Sequence, residues 1–147
     1  MINEGYIKYR AERAEGDVAA PAAFEALNRC RTALHDRGLV GCYPNGIGYG
    51  NVSVRTEGEQ FLISGSATGA ARVLGLQQYA LVRRFDLEKN GVDSLGRINA
   101  SAESMSHGAV YRALPGVNAV IHVHSRRLFD YMRGAGYPET DPAIEFG

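Results

Sequence analysis

Residues 117–125 read VNAVIHVHS, a run of β-branched apolar residues ending in two histidines one residue apart. Val117, Val120, Ile121 and Val123 favour extended backbone, and so apolar a run predicts a central strand buried on both faces. Residues two apart in a strand share a face, with their Cα atoms about 6.5 to 7 Å apart. His122 and His124, two of only 4 histidines in the chain, therefore project to one side and can converge on a small cation. Zinc takes neutral nitrogen donors at about 2.0 Å in a tetrahedral site, and a rigid strand holds two of them with little entropy left to lose. The plainer reading is a pair of core histidines hydrogen-bonded to neighbours. Two imidazoles on one buried face carry two sets of polar atoms to satisfy, and a metal satisfies both at once.

Working outward, SAESMSHGAVYRALPG (101–116) reads as a helix begun by Ser101 and stopped at Pro115-Gly116. SRRLFDYMRGAG (125–136) reads as a second helix ending in glycines. Upstream, PAAFEALNRCRTALHDRGL (21–39) places Phe24, Leu27, the stem of Arg31 and Leu34 on one helical face, with Gly38 as a left-handed stop. NVSVR (51–55) and FLISG (61–65), separated by TEGEQ, predict two antiparallel strands joined by a turn. YALVRRFDLEKNG (79–91) predicts a further strand closing on an Asn-Gly turn. The intervening VGCYPNGIGYG (40–50) has the glycine-rich composition of a loop shaped for close approach. Strands and helices intermix, which predicts an α/β or α+β layered domain with helices covering a sheet.

A length of 147 residues fits one domain. With 16 basic and 16 acidic residues there is no net field to gather nucleic acid or an anionic membrane, so neither is expected as a partner. All the basic residues except Lys8 and Lys89 are arginine, which suits bidentate contact with carboxylates and phosphates in an anionic ligand or an oligomer interface. Cys30 and Cys42 lack the spacing of a disulfide scaffold or a zinc knuckle, and a cytoplasmic setting is expected. The opening MINEGYIKYRAERAEGD has no apolar core of a signal peptide, and no segment approaches the ~18 apolar residues of a membrane span.

Glu103 stands in the first turn of the helix that precedes the histidine strand. An acid there complements the helix dipole, or it faces the histidines if the sheet brings the two together. Ser101 is a natural N-cap beside bare N–H groups that suit an anion such as phosphate. HxH spacing also occurs in cupin barrels, but Leu128 and Phe129 stand where their glutamate belongs, and a cupin is nearly all strand.

Together GNVSVR (50–55), FLISGSATG (61–69) and SAESMSHGAVYRALPGVNAVIHVHS (101–125) resemble the class II aldolase and adducin head family, from about Phe24 to Gly147. The resemblance implies a three-layer α/β/α domain with a mixed, largely antiparallel sheet, occupying residues 22–147 after an N-terminal extension at 1–21. It implies a homo-oligomer, usually a tetramer with active sites between subunits. It makes His122 and His124 ligands of zinc or another divalent metal, and Glu103 the acid/base. Asn51, Ser66 and Ser101 become contacts to substrate phosphate. The implied activity is that of a zinc-dependent lyase cleaving a small hydroxylated carbonyl compound through a metal-stabilised enediolate. Epimerases, dehydratases and decarboxylases share that chemistry, and a non-catalytic assembly module of the adducin-head kind is the alternative. Three positions depart from the family pattern. Its third zinc histidine lies in a later segment that this sequence does not reach; Ala102 replaces a serine; and Gly48 replaces a hydroxyl residue before Tyr49. His35 reads as a surface residue and His107 as a structural one, while Glu139, Asp141 and Glu145 are the acids left to replace the absent imidazole.

Overall fold

The computed structural model describes residues 6–143. Its centre is a six-stranded sheet in the order β1-β7-β6-β5-β4-β8. The strands are β1 (Arg10–Ala14), β4 (Asn51–Arg55), β5 (Phe61–Ser64), β6 (Tyr79–Asp86), β7 (Gly91–Leu95) and β8 (Ala119–His122). Only β1 and β7 run parallel; the other neighbours are antiparallel, so the sheet is mixed and largely antiparallel, as expected. A second ribbon of two residues a strand, β2 (Gly41–Cys42) and β3 (Gly48–Tyr49), folds the glycine-rich 40–50 segment into a small hairpin. Among the described residues no helix is long and apolar enough to cross a membrane.

Strand alternation explains the layers. In β4, Val52 and Val54 face helix α1 (Phe24–Asp36) and join Phe24, Leu27, Leu62 and Tyr79 in one buried cluster. Phe61 and Ile63 of β5 face the other way and pack with Val82, Phe85 and Tyr111, the last from helix α2 (Ser104–Ala113). Each interior strand thus feeds two cores, and the result is three layers, helix over sheet over helix. The register of β6 against β7 slips between Val82 and Arg84. That irregularity lets Val82 and Phe85, three apart in sequence, share one face despite the two-residue period. Asn90, with φ 49, makes the left-handed turn into Gly91 that the Asn-Gly pair predicts.

Three expectations are corrected. Arg10–Ala14, inside the stretch read as an appended extension, pair as β1 with β7, and Tyr9 and Val18 on either side of it are buried in the cores. A charged RAERA strand with an exposed surface carries no apolar alternation to reveal it. Second, β8 is not central: it ends the strand order, with Val120 turned inward and Ile121 48 % exposed. Apolar residues record a strand's tolerance of burial, not its place in the order. Third, His124 lies beyond β8 rather than within it. Helix α3 (Arg126–Gly134) follows, capped by the Ser125 side chain, which accepts the Leu128 N–H, and it buries none of its residues.

Arg31, counted for its stem, is 1 % exposed. Its guanidinium donates to the carbonyls of Thr68, Ala71 and Arg72, so the charged head ties α1 to the loop after β5. Burial lowers its pKa from the usual arginine value.

Candidate functional site

Antiparallel pairing sets the start of β4 beside the ends of β5 and β8, at one edge of the sheet. Asn51 opens β4 and pairs in register with His122, the last residue of β8. Ser66 follows β5; its N–H donates to Asn99 O at 2.9 Å, and a bridge between Gly65 and Ala100 brings the approach to α2 alongside. Ser101 and Glu103 lie on that approach. All six residues singled out from the sequence (Asn51, Ser66, Ser101, Glu103, His122 and His124) line one cleft of about 280 Å³.

The two imidazoles lie side by side, with ring centroids 4.8 Å apart and planes at 60°. Two imidazoles binding one tetrahedral cation at about 2.0 Å put their centres about 5 Å apart, so the spacing suits a shared cation. Asn51 Nδ2 is 3.3 Å from His122 Nδ1, and the Tyr43 hydroxyl is 2.9 Å from His124 Nδ1. The His124 N–H donates to Leu39 O at 3.0 Å, so the residue is held by the 39–50 segment rather than by the sheet. Among the described residues no group of three His, Cys, Asp or Glu side chains gathers around one point; the histidines are a pair. Glu139 is ion-paired with Arg133 at 2.7 Å and Asp141 accepts the Ala143 N–H at 2.8 Å. Neither lines the cleft, and Glu145 lies outside the described residues.

Glu103 is the residue immediately before α2, where the helix's unpaired N–H groups favour a carboxylate. Its Oε2 accepts from the Ser106 hydroxyl at 3.1 Å. Ser101, expected as the cap, sits two residues earlier and accepts the Glu103 N–H at 3.3 Å. Its carbonyl takes the Tyr9 hydroxyl at 3.0 Å, so the approach to α2 is held from the N-terminal side. Ala67, in the same wall as Ser66, has φ 59, a left-handed conformation that few non-glycine residues adopt.

His107 lies one helical turn beyond Glu103 and is 2 % exposed. Its Nδ1 is 2.7 Å from Ser53 Oγ, which is also 2.7 Å from the Tyr111 hydroxyl, a polar chain inside the α2-side core. Burial, and secondarily the charge of nearby His122, push its pKa down to about 3. A neutral buried imidazole bonded to a serine is structural, in line with its reading from sequence. His35 stays on α1, away from the cleft.

Sequence reasoning missed Tyr43 and Tyr49. Their rings are 4.4 Å apart and Tyr49 lies 5.4 Å from the His124 ring, an aromatic wall beside the histidines. The available signal was the Asn45-Gly46 turn, which folds the segment back: Ile47 N–H donates to Asn45 Oδ1 at 3.1 Å. Glycine is required where this hairpin meets the loop after β5, since a Cβ on Gly69 would lie 1.9 Å from Gly41 O.

A layered α/β domain with a paired-imidazole cleft at one sheet edge is the class the geometry defines. The family is then direct: the model of the class II aldolase and adducin N-terminal domain matches residues 25–133, and the chain belongs to that family. Among solved structures it is similar to YgbL, a candidate aldolase/epimerase/decarboxylase from Klebsiella pneumoniae, at 23% identity and TM-score 0.55. The match covers 72% of this chain and 45% of that one, so this chain spans under half of YgbL's length. No curated protein matches it.

Proposed function

We propose that this domain carries the active site of a metal-dependent lyase that cleaves a small hydroxylated carbonyl compound. The observation that supports it is the convergence of His122, His124, Glu103, Asn51, Ser66 and Ser101 on one cleft. His122 and His124 are the residues that would hold a divalent cation, zinc first. Such a cation supplies Lewis acidity toward a carbonyl oxygen. Glu103 moves the proton that a carbon–carbon cleavage demands, from its place just ahead of α2 in the cleft wall. Asn51, Ser66 and Ser101 orient the substrate's hydroxyl or phosphate groups; Ala102 leaves one fewer hydroxyl for an anion. Epimerisation, dehydration and decarboxylation draw on the same proton transfer, and the substrate is a free small molecule rather than a polymer.

Metal analysis with retro-aldol assays on sugars and sugar phosphates tests the reading. His122→Ala is expected to abolish bound zinc. Glu103→Gln should keep the metal and lose roughly 10²- to 10⁴-fold in kcat, the usual size of a general acid–base contribution. A folded wild-type protein that takes up no metal and turns over none of these substrates would sink it.

A specific observation favours a second reading, a non-catalytic assembly module. Ile121, Leu128, Phe129 and Met132 form an exposed apolar groove along β8 and α3. On either reading a homo-oligomer, tetrameric by family likeness, is the proposed state, and light scattering on eluting protein measures it. An oligomer without metal or turnover would decide for the module.

A further inference from the structure

One continuous segment, 39–51, meets both imidazoles, and it meets them at the same atom. Tyr43 opens the turn between β2 and β3, where its N–H donates to Ile47 O at 2.8 Å and its carbonyl accepts from Gly46 N–H at 2.9 Å. From that braced position its hydroxyl lies 2.9 Å from His124 Nδ1. Asn51, 7 % exposed, sets its amide 3.3 Å from His122 Nδ1. The backbone is pinned as well. Leu39 O accepts the His124 N–H at 3.0 Å, and Gly50, with φ +72, passes so close that a Cβ there would lie 3.1 Å from His122 O.

We propose that Tyr43 and Asn51 are positioning residues that hold both rings with hydrogen on Nδ1, making Nε2 of each the nitrogen that faces the cation. The proposal rests on the cation site proposed above. A neutral imidazole has one N–H, so whatever meets Nδ1 decides which nitrogen keeps a lone pair for a metal. The Tyr43 hydroxyl accepts from Nδ1–H without rearrangement. The Asn51 amide accepts after a half-turn that brings Oδ1 to the ring; that oxygen is buried with no hydrogen-bond partner among the described residues. The opposite polarity, amide nitrogen donating to Nδ1, would leave the proton on Nε2 and close that nitrogen to a cation. Partners of this kind set ring orientation and ligand basicity, and losing one typically weakens metal binding about 10- to 100-fold.

Two measurements on the full chain test it. Long-range ¹H–¹⁵N spectra of metal-free protein read the tautomer of each ring, and cobalt(II) titration against a chelator reads affinity. Nδ1–H is expected on both rings of the wild type. Tyr43→Phe should move His124 alone toward Nε2–H, and Asn51→Leu should move His122 alone, each weakening cobalt binding about 10-fold. Asn51→Asp, whose carboxylate only accepts, should keep Nδ1–H and bind at least as tightly as wild type. A merely structural role for Asn51 would not yield that rescue. An Nε2–H tautomer on either wild-type ring overturns the proposal, as do unchanged tautomers and affinities in Tyr43→Phe and Asn51→Leu. Equal, negligible cobalt binding by wild type and His122→Ala would defeat the cation reading, and the metal-free spectra would still decide the tautomers.

Discussion

Strands β4 and β8 are hydrogen-bonded neighbours of similar apolar character, yet their surroundings differ sharply. Residues 51–54 of β4 are all buried, whereas β8 alternates exposed and half-buried positions. The difference lies in what each strand's two faces meet. β4 has a strand on either side and a helix-borne core above and below. β8 has β4 on one side and turns Val120 toward the α2-side core, while Ile121 faces the groove along α3. Burial is a property of position in the strand order, and composition only permits it.

The sharpest way to break the comparison is through the interior strands. Phe61→Ala in β5, where the ring is wholly buried against Phe85 and Tyr111, should cost about 3–5 kcal/mol in chemical denaturation. A loss under about 1 kcal/mol would mean that the α2-side core is loosely packed.

A middle-sized effect is expected from the polar chain in that core. Burial holds His107 neutral, with its pKa pushed down to about 3 from an ordinary 6.5. As pH falls below 6.5 the unfolded chain takes up the proton first, so this contribution is intact above that pH and is lost progressively toward pH 3. About 2 kcal/mol should be gone at pH 5, read as a fall in the urea midpoint. His107→Gln should flatten the dependence between pH 7.5 and 5, even if it lowers stability throughout.

The smallest effect belongs to β8. Ile121→Ser at its half-open face should change stability by no more than about 0.5 kcal/mol. A loss above about 1 kcal/mol would sharpen the comparison differently, by showing that this face is covered in solution, as an oligomer would cover it.

Much of the architecture was legible because periodicity reports it directly. The three-to-four spacing of Phe24, Leu27 and Leu34 and the alternation of NVSVR and FLISG gave α1, β4 and β5 without tertiary information. β1 was not legible: RAERA is a charged edge strand whose pairing with β7 depends on residues some eighty positions away. The candidate site was legible by residue type, since all six chosen positions reach one cleft. Its supporting parts were not. Tyr43 and Tyr49 reach His124 only because a two-residue ribbon folds the glycine-rich segment back over the 122–124 strand end. Arg31 showed in sequence as a helix-face residue and gave no sign of the three loop carbonyls that its head group satisfies.

By itself, the order of residues determined most of the helical and extended segments and which side chains are candidates for a site, because both are set by local spacing and side-chain type. Only the tertiary structure decided that β8 ends the strand order, that Asn51 stands across from His122, and that Tyr43 meets His124. Those relations depend on contacts between segments far apart in the chain, whose geometry no local pattern encodes.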